Sequence, residues 1–320
     1  MSSQIIPESN YLMRMADGTI KQVNPFTGME VWTVPGRGNR PLGINAPAPT
    51  PLDPTQHDTH CAFCTRRYLE TPPEKARLVK VDDQFTTLRH LHAEELFNTI
   101  AEFRRVPDLF EIISFDYWQK NFGYQLPDAL AAHQCNYLAS EAGRRHVLQM
   151  VEHRLRATGV DEVTRERLSV DERLQLAHTF FGGSHEVVIA RRHFVDGATH
   201  AHQLASSGTL TPEEHYQYLR FTIDATRELY INNRYVRYVA VFQNWLNRDA
   251  ASFDHLHKQL VAIDERGIQN EIALQRIRAN PNIYNEAAIN FAIYRNLVVA
   301  ENDHAIAIAG FGHHYPTLEV

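Results

Sequence analysis

The alternation of apolar and polar positions predicts a chain of short strands and amphipathic helices. Residues 1–45 hold short apolar runs separated by glycines and prolines, which is typical of strands joined by turns. The apolar runs at 109–118, 185–194 and 236–242 predict buried strands, the last followed by a polar loop. The proline-rich segment 45–54 predicts an extended linker.

Three helical stretches carry start or stop signals. Residues 128–157 have helical periodicity and end before Gly159. Ser169 opens a capping box for a helix that ends at Gly182 and Gly183. Thr211-Pro212-Glu213-Glu214 combines a cap, a proline in the first turn and early acids. This order of elements predicts an α+β fold, with helices packed on a mainly antiparallel sheet.

Composition narrows the classes of function. The net charge is −6, whereas proteins that bind nucleic acid through its phosphates usually have a basic excess, so we expect no nucleic-acid partner. No apolar run approaches about 18 residues and the N-terminus lacks a signal-peptide pattern, so we expect no membrane partner. The chain has three cysteines, two of them in a C-x-x-C, which suits a reducing, cytoplasmic location.

The chemistry concentrates in the segment DHLHKQ, residues 254–259. The other two H-x-H pairs, at 90–92 and 200–202, fit ordinary surface or strand-edge histidines. Only the third pair has Ser252 before it and Gln259 after it. In an extended segment His255, His257 and Gln259 point to one side. A neutral imidazole can attack phosphorus, and a nearby amide can stabilise the phosphoryl oxygens.

The segment VFQNWLNRDAASFDHLHKQLVA resembles the active-site segment of the galactose-1-phosphate uridylyltransferase family, within the histidine-triad (HIT) superfamily. The family usually has proline where this chain has Leu256. The resemblance implies that Asn244 and Ser252 contact substrate phosphates. It also implies that His257 is the nucleophile that becomes nucleotidylated, and that Gln259 holds the phosphoryl oxygens.

A second resemblance lies near the N-terminus. Residues 24–28, NPFTG, and 37–41, RGNRP, are similar to two signatures of the same family. Guanidinium groups pair with phosphate in bidentate fashion, so Arg37 and Arg40 are expected to clamp a diphosphate. The alternative is an exposed basic turn.

The C-x-x-C of Cys61 and Cys64 supplies half of a zinc site. A redox motif is disfavoured because no thioredoxin-like β-α-β context surrounds it. By resemblance to the sugar-nucleotide phosphorylases of the family, His193 and His255 supply the other ligands. Four protein ligands would make the zinc structural rather than catalytic.

Two further residues are candidates for ligand contact. His185 opens the strand at 185–194 and either faces the ligand or is a partly buried histidine with protein partners. Asp116, placed at the end of the run 109–118, is expected to bind the nucleotide ribose, as a polar residue at a similar strand end does in the family.

The chain also departs from the family pattern. A helical insertion occupies about 125–182. The resemblance implies a duplicated half-barrel, with a catalytic HIT-like half at 1–262 and an incomplete second half at 263–320. Residues 311–316, FGHHYP, resemble the end of that second half, but Phe311 replaces its first histidine, so a second metal is not expected.

The resemblance therefore implies a nucleotidyltransferase, most like UDP-glucose:hexose-1-phosphate uridylyltransferase of galactose metabolism. Its partners would be a nucleotide sugar, a sugar phosphate and a second copy in a homodimer. A nucleoside-diphosphate-sugar or dinucleotide phosphorylase is the alternative within this class. A zinc-stabilised nucleotide-binding protein without turnover is the alternative of another class.

Overall fold

The computed structural model describes residues 11–36, 49–243, 253–313 and 317–320. They form two units, one from the described parts of Met1–Ala46 and Arg266–Val320, the other from those of Pro47–Glu265. The predicted boundary after residue 262 lies near the end of the second unit. The N-terminal residues, which we assigned to the catalytic half, instead group with the C-terminal ones. The predicted duplication of halves stays a prediction.

Every strand pair in the described part of the chain is antiparallel, so the predicted α+β class with an antiparallel sheet is confirmed. The strands are β1 (Leu12–Arg14), β2 (Ile20–Val23), β3 (Glu30–Thr33), β4 (Ala76–Val81), β5 (Gln84–Arg89), β6 (Phe103–Pro107), β7 (His185–Ala190), β8 (Tyr238–Phe242), β9 (His257–Ile263), β10 (Val298–Glu301), β11 (Ile306–Ala309) and β12 (Leu318–Glu319). The larger unit holds one six-stranded sheet in the order β5-β4-β6-β7-β9-β8.

The helices are α1 (Phe115–Phe122), α2 (Asp128–Ala139), α3 (Glu141–Ala157), α4 (Glu162–Arg167), α5 (Val170–Gln175), α6 (His178–Gly182), α7 (Pro212–Asn232), α8 (Ile268–Ala279) and α9 (Phe291–Tyr294). The capping box predicted at Ser169 forms before α5, although that helix ends at Gln175 and not at Gly182. The cap predicted at Thr211 forms before α7, where it is part of a capping box. The hydroxyl of each accepts a backbone N–H of the first turn, which stabilises the start of its helix.

The two faces of the central sheet carry different side chains. The register of β7 and β9 pairs Val187 with Gln259 and Ile189 with His257, so these four side chains share one face. The alternate residues face α1 and α7 and form the main apolar core with them. These core residues include Val188, Ala190, Leu260 and Ala262. The sheet is therefore anchored on one face, and the other face is free to carry polar chemistry.

Residues 109–118 do not form the predicted strand. The strand is β6, which ends at Pro107, and α1 begins after Ser114, whose hydroxyl accepts the N–H of Tyr117. Phe110 is 49% exposed and Ile112 is 66% exposed, so these two side chains lie at the surface. Phe115 and Trp118, at the start and middle of α1, are buried in the main core instead. The predicted buried run is therefore divided between the surface and the core.

The helical insertion is broken into five short helices, α2 to α6, and the predicted block 128–157 is interrupted at Ser140, which caps α3. Hydrogen bonds tie it to the rest of the unit. His146 on α3 donates through Nε2 to the carbonyl of Thr71 (2.8 Å) and accepts at Nδ1 from Tyr137 (2.7 Å). Arg104 on β6 donates to the Thr71 hydroxyl (3.0 Å). The insertion is thus connected to the sheet through buried polar contacts.

No helix in the described ranges combines the length and apolar character needed to cross a bilayer.

Glu111 provides a pH-dependent test of this packing. Its carboxyl oxygens are buried, and among the described residues no arginine or lysine lies within ion-pair distance of them. The carboxylate packs closely against Gly183, where an added Cβ would lie 1.7 Å from Oε1. Burial raises the pKa of Glu111 to about 8, from an ordinary value of 4.5. The folded protein therefore loses stability as the pH rises from 4.5 through about 8.

We expect Glu111→Gln to raise the melting temperature by at least a few degrees at pH 8 and to change it little at pH 5, because the amide carries no buried charge. Thermal melts at the two pH values measure this. Glu166→Gln, on an exposed glutamate of α4, is the matched control and should show no pH-dependent gain. Equal gains for Glu111→Gln at both pH values would contradict the assignment.

Candidate metal centre and active site

Four residues from three separate segments of the chain bring their ligand atoms together. The sulfurs of Cys61 and Cys64 and a nitrogen of His193 and of His255 all lie within 4.8 Å of one another. Both histidines present Nδ1: that of His193 lies 3.3 and 3.5 Å from the two sulfurs, and that of His255 lies 3.6 and 3.8 Å from them. The two sulfurs are 3.8 Å apart.

These distances fit a tetrahedral zinc ion. Metal–ligand bonds of about 2.3 Å to sulfur and 2.0–2.1 Å to nitrogen give edges of about 3.3–3.8 Å in a tetrahedron. The Nε2 of His255 lies 2.7 Å from the carbonyl oxygen of Ala190 and donates to it, which leaves Nδ1 unprotonated and free to ligate. Hydrogen bonding between the thiols lowers the pKa of Cys64 and raises that of Cys61. The arrangement is therefore a potential metal site, and the predicted ligand set is the one brought together.

His257 follows directly at the start of β9. Its Nδ1 donates to the carbonyl oxygen of His255 at 2.6 Å, so Nε2 carries the lone pair. Burial lowers the pKa of His257, which favours the neutral ring. Phe63, between the two cysteines, packs edge-on against this ring at a centroid distance of 5.3 Å. The predicted nucleophile is therefore contacted both by Phe63 of the C-x-x-C segment and by the carbonyl of His255.

Gln259 and His185 lie beside His257 on the same face of the sheet. The Nε2 of His185 is 3.2 Å from Oε1 of Gln259, and its Nδ1 accepts the N–H of Ile112 at 3.2 Å. His185 is thus a buried histidine with protein partners, and it also lines the cavity described next. Its predicted contact with the ligand stays a prediction.

A cavity of about 370 Å³ opens onto these side chains. Its volume is within the usual range for small-molecule sites. Its wall is mostly apolar and aromatic, with Asp108 and His153 among the polar groups, and His153 comes from α3 of the insertion. The residues that give the wall its apolar character include Phe63, Pro72, Leu109, Phe110, Ile112, Phe242 and Phe253.

Asp116 is not part of this cavity. It lies in the first turn of α1, pairs with Lys120 at 2.9 Å, and lines a different and larger cavity of about 740 Å³ against the insertion. Asp116 was predicted to follow a strand at 109–118, but the strand ends at Pro107. The residue after that strand end is Asp108, which lines the cavity. An acid directly after a strand-ending proline was the available signal for Asp108.

Four predicted site residues lie outside the described ranges: Arg37, Arg40, Asn244 and Ser252. Their assigned roles stay predictions.

A protein-family model described as a domain of unknown function (DUF4921) matches residues 15–320. The chain belongs to this family. No curated protein matches it by sequence.

Two solved structures from Arabidopsis thaliana are similar to this DUF4921 protein. An ADP-glucose phosphorylase with bound ADP-glucose is 15% identical with a TM-score of 0.47, over 92% of this chain and 64% of that one. A GalT-like protein is 16% identical with a TM-score of 0.45, over 83% of this chain and 60% of that one. The DUF4921 chain thus spans less than two thirds of the length of either.

The cluster predicts the metal content of the DUF4921 protein. We expect about one zinc per folded chain by elemental analysis, and a clear loss of zinc and of thermal stability in Cys64→Ser, because structural zinc contributes on the order of 10 kcal/mol in small domains. Cys135→Ser, at an exposed cysteine of α2, is the control and should keep both. Zinc-free wild-type protein with an unchanged melting temperature would contradict a structural metal.

Proposed function

We propose that the protein transfers a nucleoside monophosphate from a nucleoside-diphosphate sugar to a phosphate acceptor through a nucleotidyl intermediate on His257. The observation that carries the proposal is the state of that ring. Its Nδ1 is engaged by the carbonyl of His255, so Nε2 is the nucleophilic nitrogen beside a cavity. A neutral imidazole held in one tautomer is a nucleophile for phosphorus.

The reaction takes two displacements. In the first, the Nε2 lone pair of His257 forms an N–P bond with the α-phosphorus, the bond to the bridging oxygen breaks, and sugar 1-phosphate leaves with that electron pair. In the second, an acceptor phosphate oxygen attacks the same phosphorus and the N–P bond breaks, which restores the neutral ring. The amide of Gln259 donates to the phosphoryl oxygens, where charge develops in each transition state.

The cavity wall supports a nucleotide donor. Phe110 and Ile112 are exposed apolar side chains on this wall, and a planar base would cover them. Asp108 offers a carboxylate for ribose hydroxyls, since an ionised carboxylate accepts hydrogen bonds. A sugar phosphate as acceptor makes the enzyme most like UDP-glucose:hexose-1-phosphate uridylyltransferase. Inorganic phosphate as acceptor makes it a nucleoside-diphosphate-sugar phosphorylase.

Zinc held by Cys61, Cys64, His193 and His255 would have a closed coordination shell, so its contribution is structural. The protein residues then perform the chemistry: the carbonyl of His255 fixes the tautomer of His257, and Phe63 limits the movement of its ring.

We expect His257→Ala to abolish formation of a nucleotidylated protein. Wild-type protein, exposed briefly to UDP-glucose or ADP-glucose, should gain the mass of one nucleoside monophosphate, in an acid-labile adduct that maps to His257 by mass spectrometry. His200→Ala is the control, because the ring of His200 contacts Thr199 and His202 and does not line the cavity. An adduct that persists in His257→Ala, or none in wild type with any nucleotide sugar, would overturn the proposal and favour a binding protein without turnover.

We expect Asp108→Ala to weaken nucleotide binding by about tenfold, as for the loss of a charged hydrogen bond. Titration calorimetry with UDP and ADP measures this, with Asp116→Ala as the matched control at the residue that lies in the other cavity. Weaker binding in Asp116→Ala than in Asp108→Ala would restore the original assignment of the ribose contact.

A further inference from the structure

His185 and Gln259 are diagonal neighbours across the central strand pair. The register pairs His185 with Val261 and Val187 with Gln259, so both side chains lie on the face that carries His257. His185 is 3% exposed, and its ring is held on both sides. Its two nitrogens meet different partners, one on the backbone and one on Gln259.

The backbone partner determines the tautomer of His185. The N–H of Ile112 points at Nδ1 over 3.2 Å, and a nitrogen that accepts a hydrogen bond carries no proton. The proton of the neutral ring is therefore on Nε2. That nitrogen lies 3.2 Å from Oε1 of Gln259 and 3.7 Å from Oδ2 of Asp108, so its hydrogen bond goes to Gln259.

The hydrogen bond in turn determines which end of the Gln259 amide is available. An Nε2–H donor requires the amide oxygen opposite it, so the NH₂ group is left for the ligand. Within the described ranges this NH₂ has no protein partner, and Gln259 lines the cavity beside His257. A flipped amide would present lone pairs to anionic phosphoryl oxygens and would repel them.

We propose that His185 is a positioning residue, which sets the amide of Gln259 with its NH₂ group toward the phosphoryl group. The orientation of the Gln259 amide follows from the geometry without a ligand. Its effect on nucleotidyl transfer rests on the proposed function. Ile112, whose backbone N–H bonds His185, is itself part of the cavity wall. The order of contacts is backbone N–H of Ile112, imidazole of His185, amide of Gln259, phosphoryl oxygens.

Two isosteric variants separate this role from a merely structural one. His185→Asn keeps an acceptor near the Nδ1 position for Ile112 but removes the donor to Gln259. His185→Gln keeps a donor near the Nε2 position but removes the acceptor for Ile112. A positioning role predicts that the Gln variant retains function, whereas a role limited to holding Ile112 predicts that the Asn variant does.

The measurement is the single-turnover rate constant of His257 nucleotidylation with UDP-glucose and ADP-glucose, beside the Kd for the corresponding nucleotide. We expect His185→Asn to slow nucleotidylation by about 10- to 100-fold, with Kd changed less than about threefold, because a donor to the transition state is lost. His185→Gln should stay within about tenfold of wild type. In a Gln259→Ala background, His185→Asn should cause little further loss. A wild-type rate in His185→Asn, or independent effects of the two changes, would overturn the proposal.

A second measurement does not depend on turnover. In ¹⁵N-histidine NMR spectra, the ring signals that disappear in His185→Asn identify His185, and they should show the proton on Nε2. A proton on Nδ1 overturns the proposal. If wild-type protein forms no adduct with any nucleotide sugar, the proposed function fails, and the NMR spectrum alone then decides the orientation of Gln259: Nε2–H supports it and Nδ1–H refutes it.

Discussion

The hydrogen bond from Nδ1 of His257 to the carbonyl oxygen of His255 is the interaction on which the site depends. The acceptor is the backbone carbonyl of a residue whose own side chain belongs to the cysteine–histidine cluster. Because His255 is also bonded through Nε2 to Ala190 on β7, its carbonyl has a fixed position. The nucleophile therefore takes its orientation from the cluster and the sheet together, and a site held in this way loses little energy to reorganisation.

The sheet makes this possible by dividing its two faces. On the core side, Arg105 of β6 pairs with Glu186 of β7 and with Glu228 of α7, and Lys75 also pairs with Glu186. These buried ion pairs and the apolar core fix β6, β7 and β9 against α7. The opposite side can then carry imidazoles and an amide in set positions, since their backbone does not depend on ligand for its order.

Much of this could be predicted from sequence where the signal was local. The caps at Ser169 and Thr211 act within one turn, so they identified where α5 and α7 begin. The cysteine–histidine ligands followed from resemblance. The strand predicted at 109–118 is wrong because an apolar run alone does not distinguish a buried strand from residues that line a cavity. The role predicted for Asp116 depended on that strand. The orientation of Gln259 depends on a backbone N–H 147 residues away, and no sequence pattern reports such a contact.

The order of the cluster residues along the chain also constrains how the site is made. Cys61 is 132 residues from His193 and 194 residues from His255, with the whole helical insertion in between. Contacts over such separations slow folding, since the chain must lose the entropy of the intervening loops to form them. During synthesis, Cys61 and Cys64 leave the ribosome long before His255 does. A change in the insertion that never touches the cavity can therefore alter how fast the site assembles, and so how much finished protein a cell obtains.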